Sequence, residues 1–176
     1  DSEVIKTELW LADMGTVEKA VHRAQKLGRA GDKDALKLVD VLVKVQAALD
    51  QAKPVRSLGL SKDEQALIKP LCLITAKPAM FVGNVDEGGF DNNPYLDKLR
   101  AYAESQKAPV VAICAKTEAE LSEMEDADRL MFLQEMGQTE PGLNRLIRAA
   151  FSLLGLQTYF TAGVKEVRAW TIHIGD

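Results

Sequence analysis

The chain has 176 residues, a formal charge of −4, and 47% hydrophobic against 27% charged residues, which is enough apolar material to build a core. A pI near 5.3 argues against non-specific nucleic-acid binding by the whole chain, DNA included, but leaves room for a local basic patch. No apolar stretch is long enough to span a bilayer and no secretory leader opens the sequence, so a cytoplasmic protein without membrane contact is expected. Cys72 and Cys114 lie in the apolar runs LCLIT and VVAICAK without metal-ligand spacing, and are expected as buried free thiols in a reducing compartment. The sequence opens at Asp1 without Met and stops at TIHIGD just after an alternating apolar run. Both ends are therefore expected to be cut from something longer.

In chain order, residues 3–27 carry Ile5, Leu9, Ala12, Thr16, Ala20, Ala24 and Leu27 at three- and four-residue spacing, which predicts an amphipathic helix with that face inward. GRAG at 28–31 predicts a break. Leu38, Leu42, Val45 and Leu49 predict a second helix over about 33–52. So short a connection makes the pair an antiparallel hairpin, which Pro54 ends. Ser61 and Glu64 then fit a capping box, and Pro70 is expected to kink or split the helix that follows.

AMFVGNV predicts a buried strand over 79–84, and PVVAIC a second over 109–114. Between them Asn93-Pro94 starts a helix over 94–106, with Leu96, Leu99 and Ala103 inside. The three form a βαβ unit, whose strands are expected to be adjacent and parallel. Thr117 and Glu120 fit another capping box, ahead of helices near 118–136 and 141–154; Ile147, Ala150 and Leu154 share a stripe on the second. Residues 156–174, rich in aromatic and β-branched side chains, read as strands of a new β-rich module.

In open α/β sheets ligands bind beyond the carboxyl ends of the strands. Here those ends are Asn84-Val85-Asp86-Glu87 and Cys114-Ala115-Lys116. P-loop GTPases carry Asn-Lys-x-Asp at the first position, where the Asp accepts from the two N–H groups of the guanine edge. They carry Ser-Ala-Lys at the second, where a backbone N–H faces the base. Glu87 places the same charge one methylene further out, so a strict guanine preference is not expected.

Asn-x-x-Glu at this position resembles the YchF, or Obg-like, ATPase family. So do the segments EVIKTELWLADMGTVEKAVHR, NVDEGGFDNNPYLDKLR, EPGLNRLIRAAFSLLGL and LQTYFTAGVKEVRAWTIHIG. Asn-x-x-Glu alone is a weak signal; the ordered combination, running along essentially the whole chain, is specific. The resemblance implies an α/β fold: part of a P-loop NTPase-like parallel sheet, an antiparallel helical-hairpin insertion, and the first β-hairpin of a TGS-type domain. It implies boundaries at 1–55 for the hairpin, 56–154 for the second part of the nucleotide domain and 155–176 for the start of the TGS domain. It implies a slow, ribosome-associated ATPase that takes ATP in preference to or alongside GTP, with Mg²⁺. Asn84, Val85, Glu87, Cys114, Ala115 and Lys116 would form the base side of its pocket.

The departure is large. No G-x-x-x-x-G-K-[ST] and no preceding Asp-x-x-Gly occur, so the groups that cradle phosphates and hold magnesium would lie upstream of Asp1. No catalytic residue and no metal ligand is assigned in this sequence. The alternative is a non-catalytic module for ribosome or protein contacts. Arg23, Lys26, Arg29, Lys33 and Lys37 crowd the hairpin turn and could meet RNA phosphates, or could simply be a solvated surface of mixed charge with Asp32 and Asp34. Asn84 could equally be a turn residue, Glu87 a solvated loop acid, and Lys116 a solvent-facing cation. His22 and His173 stand alone and point to neither a metal nor a triad. Trp10, Trp170, Tyr159 and Phe160 read as core or interface aromatics before a stacking platform. A small parallel sheet leaves one strand edge open, through which self-association is expected.

Overall fold

The structure, a computed structural model, describes residues 2–175 and the side chains of residues 3–175. It divides into two compact units, Asp1–Pro78 and Ala79–Asp176.

The first unit is built on α1 (Ser2–Arg29) and α2 (Lys33–Asp50), which pack along one another as a hairpin. The expected inner face of α1 is corrected. Ile5, Leu9, Ala12, Thr16 and Leu27 are exposed, and the buried stripe is Asp13, Val17, Val21 and Ala24, with Trp10, Met14 and Ala20 at its margin. The 10-14-17-21-24 spacing is as regular as the one chosen, but it contains the β-branched pair that fills the core between the helices. On α2 the expected face holds: Leu42, Val45 and Leu49 are buried, and Leu38 lies at the edge of their cluster.

The turn also falls later than expected. Gly28 stays helical, where a Cβ would come within 2.7 Å of Leu36 Cδ2, so its role is close approach. The reversal is made by Gly31 at φ +96°, a conformation that costs glycine nothing. Asp32 then caps α2, its Oδ1 accepting from the backbone N–H groups of Asp34 (2.9 Å) and Ala35 (3.1 Å).

Residues 55–78 pack with the hairpin, since Val55, Ile68 and Leu73 belong to the same buried cluster as α1 and α2. The boundary between packed units thus falls at Pro78, whereas the resemblance set one at residue 55. The polar tie is Asp13, only 2% exposed, whose Oδ1 and Oδ2 accept from the backbone N–H groups of Ile74 (2.8 Å) and Thr75 (2.7 Å). Thr75 is buried as well, and its Oγ1 accepts from the Val55 N–H at 3.3 Å.

α3 (Lys62–Ile68) begins at the expected capping box, with Glu64 N–H donating to Ser61 Oγ and Ser61 N–H to Glu64 Oε2. Pro70 splits rather than kinks it: the α-helix stops at Ile68 and a 3₁₀ turn takes over from Lys69 to Leu71. Cys72 follows at φ +50° and is exposed, which corrects its expected burial. The left-handed residue swings its side chain out of the apolar run.

The second unit holds the βαβ expected: β1 (Phe81–Asn84), α4 (Pro94–Ser105) and β2 (Val110–Ile113), with β1 and β2 adjacent, parallel and in register from Phe81–Val110 to Asn84–Ile113. Asn93 caps α4, and Gly83 lets the helix close on the strand, since a Cβ there would lie 2.9 Å from Leu96 Cδ1. The strands are less buried than expected; in β1 only Gly83 is fully covered and Val82 is exposed.

The expected helix over 118–136 is two, α5 (Ala115–Glu123) and α6 (Asp126–Glu135). Arg129 seals the break, donating from Nε to Leu121 O (3.0 Å) and from a terminal nitrogen to Met124 O (2.8 Å), which satisfies carbonyls at the end of α5. The expected Thr117–Glu120 capping box is absent, because α5 starts three residues earlier with Cys114 as its N-cap. Thr117 is therefore inside the helix, buried, and its hydroxyl meets no hydrogen-bond partner among the described residues.

α7 (Gly142–Leu153) is capped at a distance: Glu118 of α5 accepts from the Gly142 N–H (2.6 Å) and the Leu143 N–H (3.0 Å). A negative charge at a helix start is favoured by both the free N–H groups and the dipole. Ile147 and Leu154 of the expected stripe are exposed. β3 (Leu156–Ala162) and β4 (Val167–His173) close the chain as an antiparallel hairpin, with Tyr159, Phe160 and Trp170 exposed rather than in a core. No helix among the described residues is long and apolar enough to cross a membrane.

Two predictions follow from the polar ties of the first unit. Asp13→Ala leaves two inward-facing N–H groups without an acceptor, and denaturant unfolding should register a loss of about 3 kcal/mol; a loss within error of zero would contradict the role given to Asp13. The Lys44 ammonium, 2.6 Å from Glu64, together with the Ser61 hydrogen bonds lowers the Glu64 carboxyl from its ordinary 4.5 to about 2. A depressed folded value stabilises above the ordinary one, and that contribution is lost as pH falls from about 4.5 through about 2. An NMR titration should place the Glu64 midpoint near the lower figure and move it upward in Lys44→Ala.

Candidate functional site

The two strand-end loops meet because β1 and β2 run side by side in the same direction and end level with each other. The last ladder bond is Val85 N–H to Ile113 O at 2.8 Å. Beyond it the Asn84 side chain crosses between the loops, its Oδ1 accepting from the Ala115 N–H at 3.0 Å. That N–H is one of the free donors at the start of α5, so Asn84 joins the loops and caps the helix in one contact. Of the backbone N–H groups in Cys-Ala-Lys, that of Ala115 is thus already bonded to Asn84.

Cys114 is buried at the N-cap position and extends no side-chain cap. Glu87 lies on the turn that Gly89 N–H closes onto Asp86 O at 2.8 Å. Its Oε1 accepts from Lys116 Nζ at 2.9 Å, which makes a second bridge between the loops, and Glu120 Oε1 stands 3.9 Å from the same ammonium. The Glu87 hydrogen bond and charge, with a smaller contribution from Glu120, hold the Lys116 ammonium above its usual range. Both side chains are more than half exposed, so the bridge orients the loop more than it stabilises the fold.

Asn84, Val85, Glu87, Cys114 and Lys116 all line one cavity of about 390 Å³ at these loops, together with Asp86 and Gly88. Of the six expected site residues only Ala115 stays off the wall, its amide spent on Asn84. Asp86 and Gly88 were not singled out from the sequence, although their position inside and just after Asn-x-x-Glu carried the signal. Glu118, which sets the start of α7, was missed because nothing in its local sequence shows a partner 24 residues on.

At the hairpin turn Arg23, Lys26, Arg29 and Lys33 are exposed, and none forms a salt bridge among the described residues; Lys37 is paired with Asp34 at 3.2 Å. His22 is exposed on α1, and His173 ends β4. No three His, Cys, Asp or Glu side chains converge as a metal-binding group among the described residues.

A parallel strand pair with a crossover helix, an Asn at one strand end tied to the loop after the other, and Glu three residues beyond it are the features of an Obg-related P-loop NTPase fold, here in part. No protein-family model matches the sequence. The chain is 54% identical over 175 residues to "Ribosome-binding ATPase YchF" of Escherichia coli O157:H7, covering 99% of this chain and 48% of that protein. It is 46% identical over 178 residues to the protein of the same name in Bacillus subtilis, covering 99% of this chain and 49% of that one. The structure of the Schizosaccharomyces pombe YchF GTPase superposes with a TM-score of 0.89 at 26% identity, over 100% of this chain and 49% of the other. The chain is homologous to the YchF family along essentially its whole length, and it spans about half the length of the curated relatives it matches.

If Asn84 holds the two loops together, Asn84→Ala should speed amide exchange at Ala115 and lower stability by about 1 kcal/mol. Unchanged exchange at Ala115 would remove the contact from the account.

Proposed function

We propose that the loops after β1 and β2 form the base side of a purine-nucleotide pocket, within a piece of a ribosome-associated ATPase that takes ATP in preference to or alongside GTP. The observation that carries this is the Asn84–Ala115 hydrogen bond, which fixes Asn-x-x-Glu against Cys-Ala-Lys beside a shared cavity. The names of the relatives, a ribosome-binding ATPase and a GTPase, support the same class.

The state of Glu87 supports a relaxed base preference. Its carboxylate reaches one methylene further than Asp and already accepts from Lys116, so it is poorly placed to take the two donors of a guanine edge. The residues present do not fit a magnesium site: no metal-binding group converges among the described residues, and the sequence has no phosphate-binding loop. Mg²⁺ and the phosphates would be held by other parts of a longer protein, and no hydrolytic step is assigned to these residues. In that protein residues 1–55 correspond to a helical insertion, 56–154 to the second part of the nucleotide domain, and 155–176 to the opening of a TGS-type domain. A cytoplasmic location follows from the proposed ribosome association.

A second reading, a non-catalytic contact module, draws on the exposed cations at the hairpin turn. The two are compatible, because the turn belongs to the first unit and the cavity to the second. Open strand edges make self-association part of this reading.

Two experiments test these proposals, each in the full-length protein. Glu87→Asp restores the shorter guanine-reading side chain and should raise GTP affinity relative to ATP by about tenfold, since a good bidentate base contact is worth about 1–3 kcal/mol. A ratio unmoved by the change would mean that Glu87 does not face the base. Arg23→Glu, Lys26→Glu and Arg29→Glu together should weaken co-sedimentation with ribosomes and lessen its salt dependence. Unaltered co-sedimentation would dismiss the turn as the contact.

A further inference from the structure

One cavity of the first unit lies away from every residue discussed above as a nucleotide or ribosome contact. It is a groove of about 900 Å³ formed where α3 and the 3₁₀ turns fold back over residues 55–60. That volume is in the range of cavities that hold a ligand or a few anchored side chains. Its floor is aliphatic, with Leu60, Ile68, Leu73 and Ala76. Its rim carries Arg56, Lys62, Lys69 and Lys77, and no Asp or Glu lines it. In a chain whose formal charge is −4, that is a local reversal of sign.

None of the four rim cations forms a salt bridge among the described residues; Arg56 only donates to Thr75 O at 3.3 Å. Of the neighbouring acids, Glu64 is engaged by Lys44 and Ser61, and Asp63 does not line the groove. The groove is preformed, because Ile68 and Leu73 belong to the buried cluster and Asp13 pins the turn beside Leu73.

We propose that this groove is a docking site for an acidic amphipathic peptide segment of a partner protein, whose aliphatic side chains enter the floor and whose carboxylates meet the rim. Charge complementarity selects an anionic partner, and the aliphatic floor selects among anionic partners. Single-stranded nucleic acid is held chiefly by stacking its bases on aromatic rings, and no Phe, Tyr or Trp lines the groove. A peptide of alternating aliphatic and acidic faces satisfies both features, as amphipathic segments do in other apolar grooves.

The test is fluorescence anisotropy on the full chain, with a fluorescein-labelled amphipathic peptide of leucine and glutamate as the probe. Its leucine–lysine counterpart and a single-stranded RNA oligonucleotide serve as comparisons. The expected result is saturable binding of the acidic peptide that falls about tenfold in Lys62→Glu/Lys69→Glu and weakens with added salt. Both lysines are exposed, and circular dichroism of the double variant should match the parent. Ala66→Trp, on the groove wall, should block the peptide without changing its charge attraction. Binding that survives both variants, equal binding of the lysine peptide, tighter binding of the RNA, or occupation of the groove by a second copy of the chain would each overturn the proposal.

Discussion

The carboxylate of Asp13 has to be where it is. It sits in the apolar stripe of a long helix, a position at which an ionised group without partners would be untenable. What makes it tolerable is a pair of backbone N–H groups from residues 74 and 75, presented at a 3₁₀ turn more than 60 residues away. The helix cannot rotate or slide without breaking both contacts, so the charge sets the register between α1 and the segment that returns beneath it. A leucine at that position would bury more apolar area but leave the turn's donors without an acceptor and the register unset. Thr75 extends the arrangement by taking the Val55 N–H, which closes the entry of the same segment.

The second unit is held by a different device, in which single polar side chains span from one element to the start or end of another. Asn84 joins the end of β1 to the start of α5, Glu118 joins α5 to the start of α7, and Arg129 joins α6 to the end of α5. Gly142 is part of this chain of contacts, because a Cβ would stand 2.8 Å from the Glu118 carboxylate. The outcome is a pair of loops whose geometry is imposed from both sides. The geometry of the two loops is thus set within the chain itself, before any further contact is made.

Local chemistry was legible in the sequence where it acts over a few residues. The Ser61–Glu64 box, Asn93-Pro94 at the start of α4, the βαβ unit and the closing hairpin all follow from short-range rules. What failed depended on contacts distant in sequence. Two equally periodic faces of α1 competed, and the one with Val17 and Val21 won because α2 and residues 55–73 lie against it. Thr117 looked like a cap only until Asn84, from another strand, fixed the start of α5 at Ala115. Cys72 looked buried because its neighbours are apolar, whereas the turn after Pro70 reverses its direction. The bridge from Glu87 to Lys116 could not be read at all, although both residues had been picked out, because sequence shows the ends of such a contact and not the path between them.

The distribution of the two tryptophans has a spectroscopic consequence. Trp10 is partly buried against the aliphatic cluster of the first unit, whereas Trp170 is an exposed residue of β4 whose indole N–H donates to Thr161 Oγ1 at 2.8 Å, with the Arg168 guanidinium 6.0 Å from the ring centre. One fluorophore thus emits from an apolar wall and the other from a wet, cation-flanked surface. Their spectra separate by environment, and an aqueous quencher reaches the second more readily than the first. Each compact unit therefore carries its own intrinsic reporter, and the melting of one can be followed beside the other without a label.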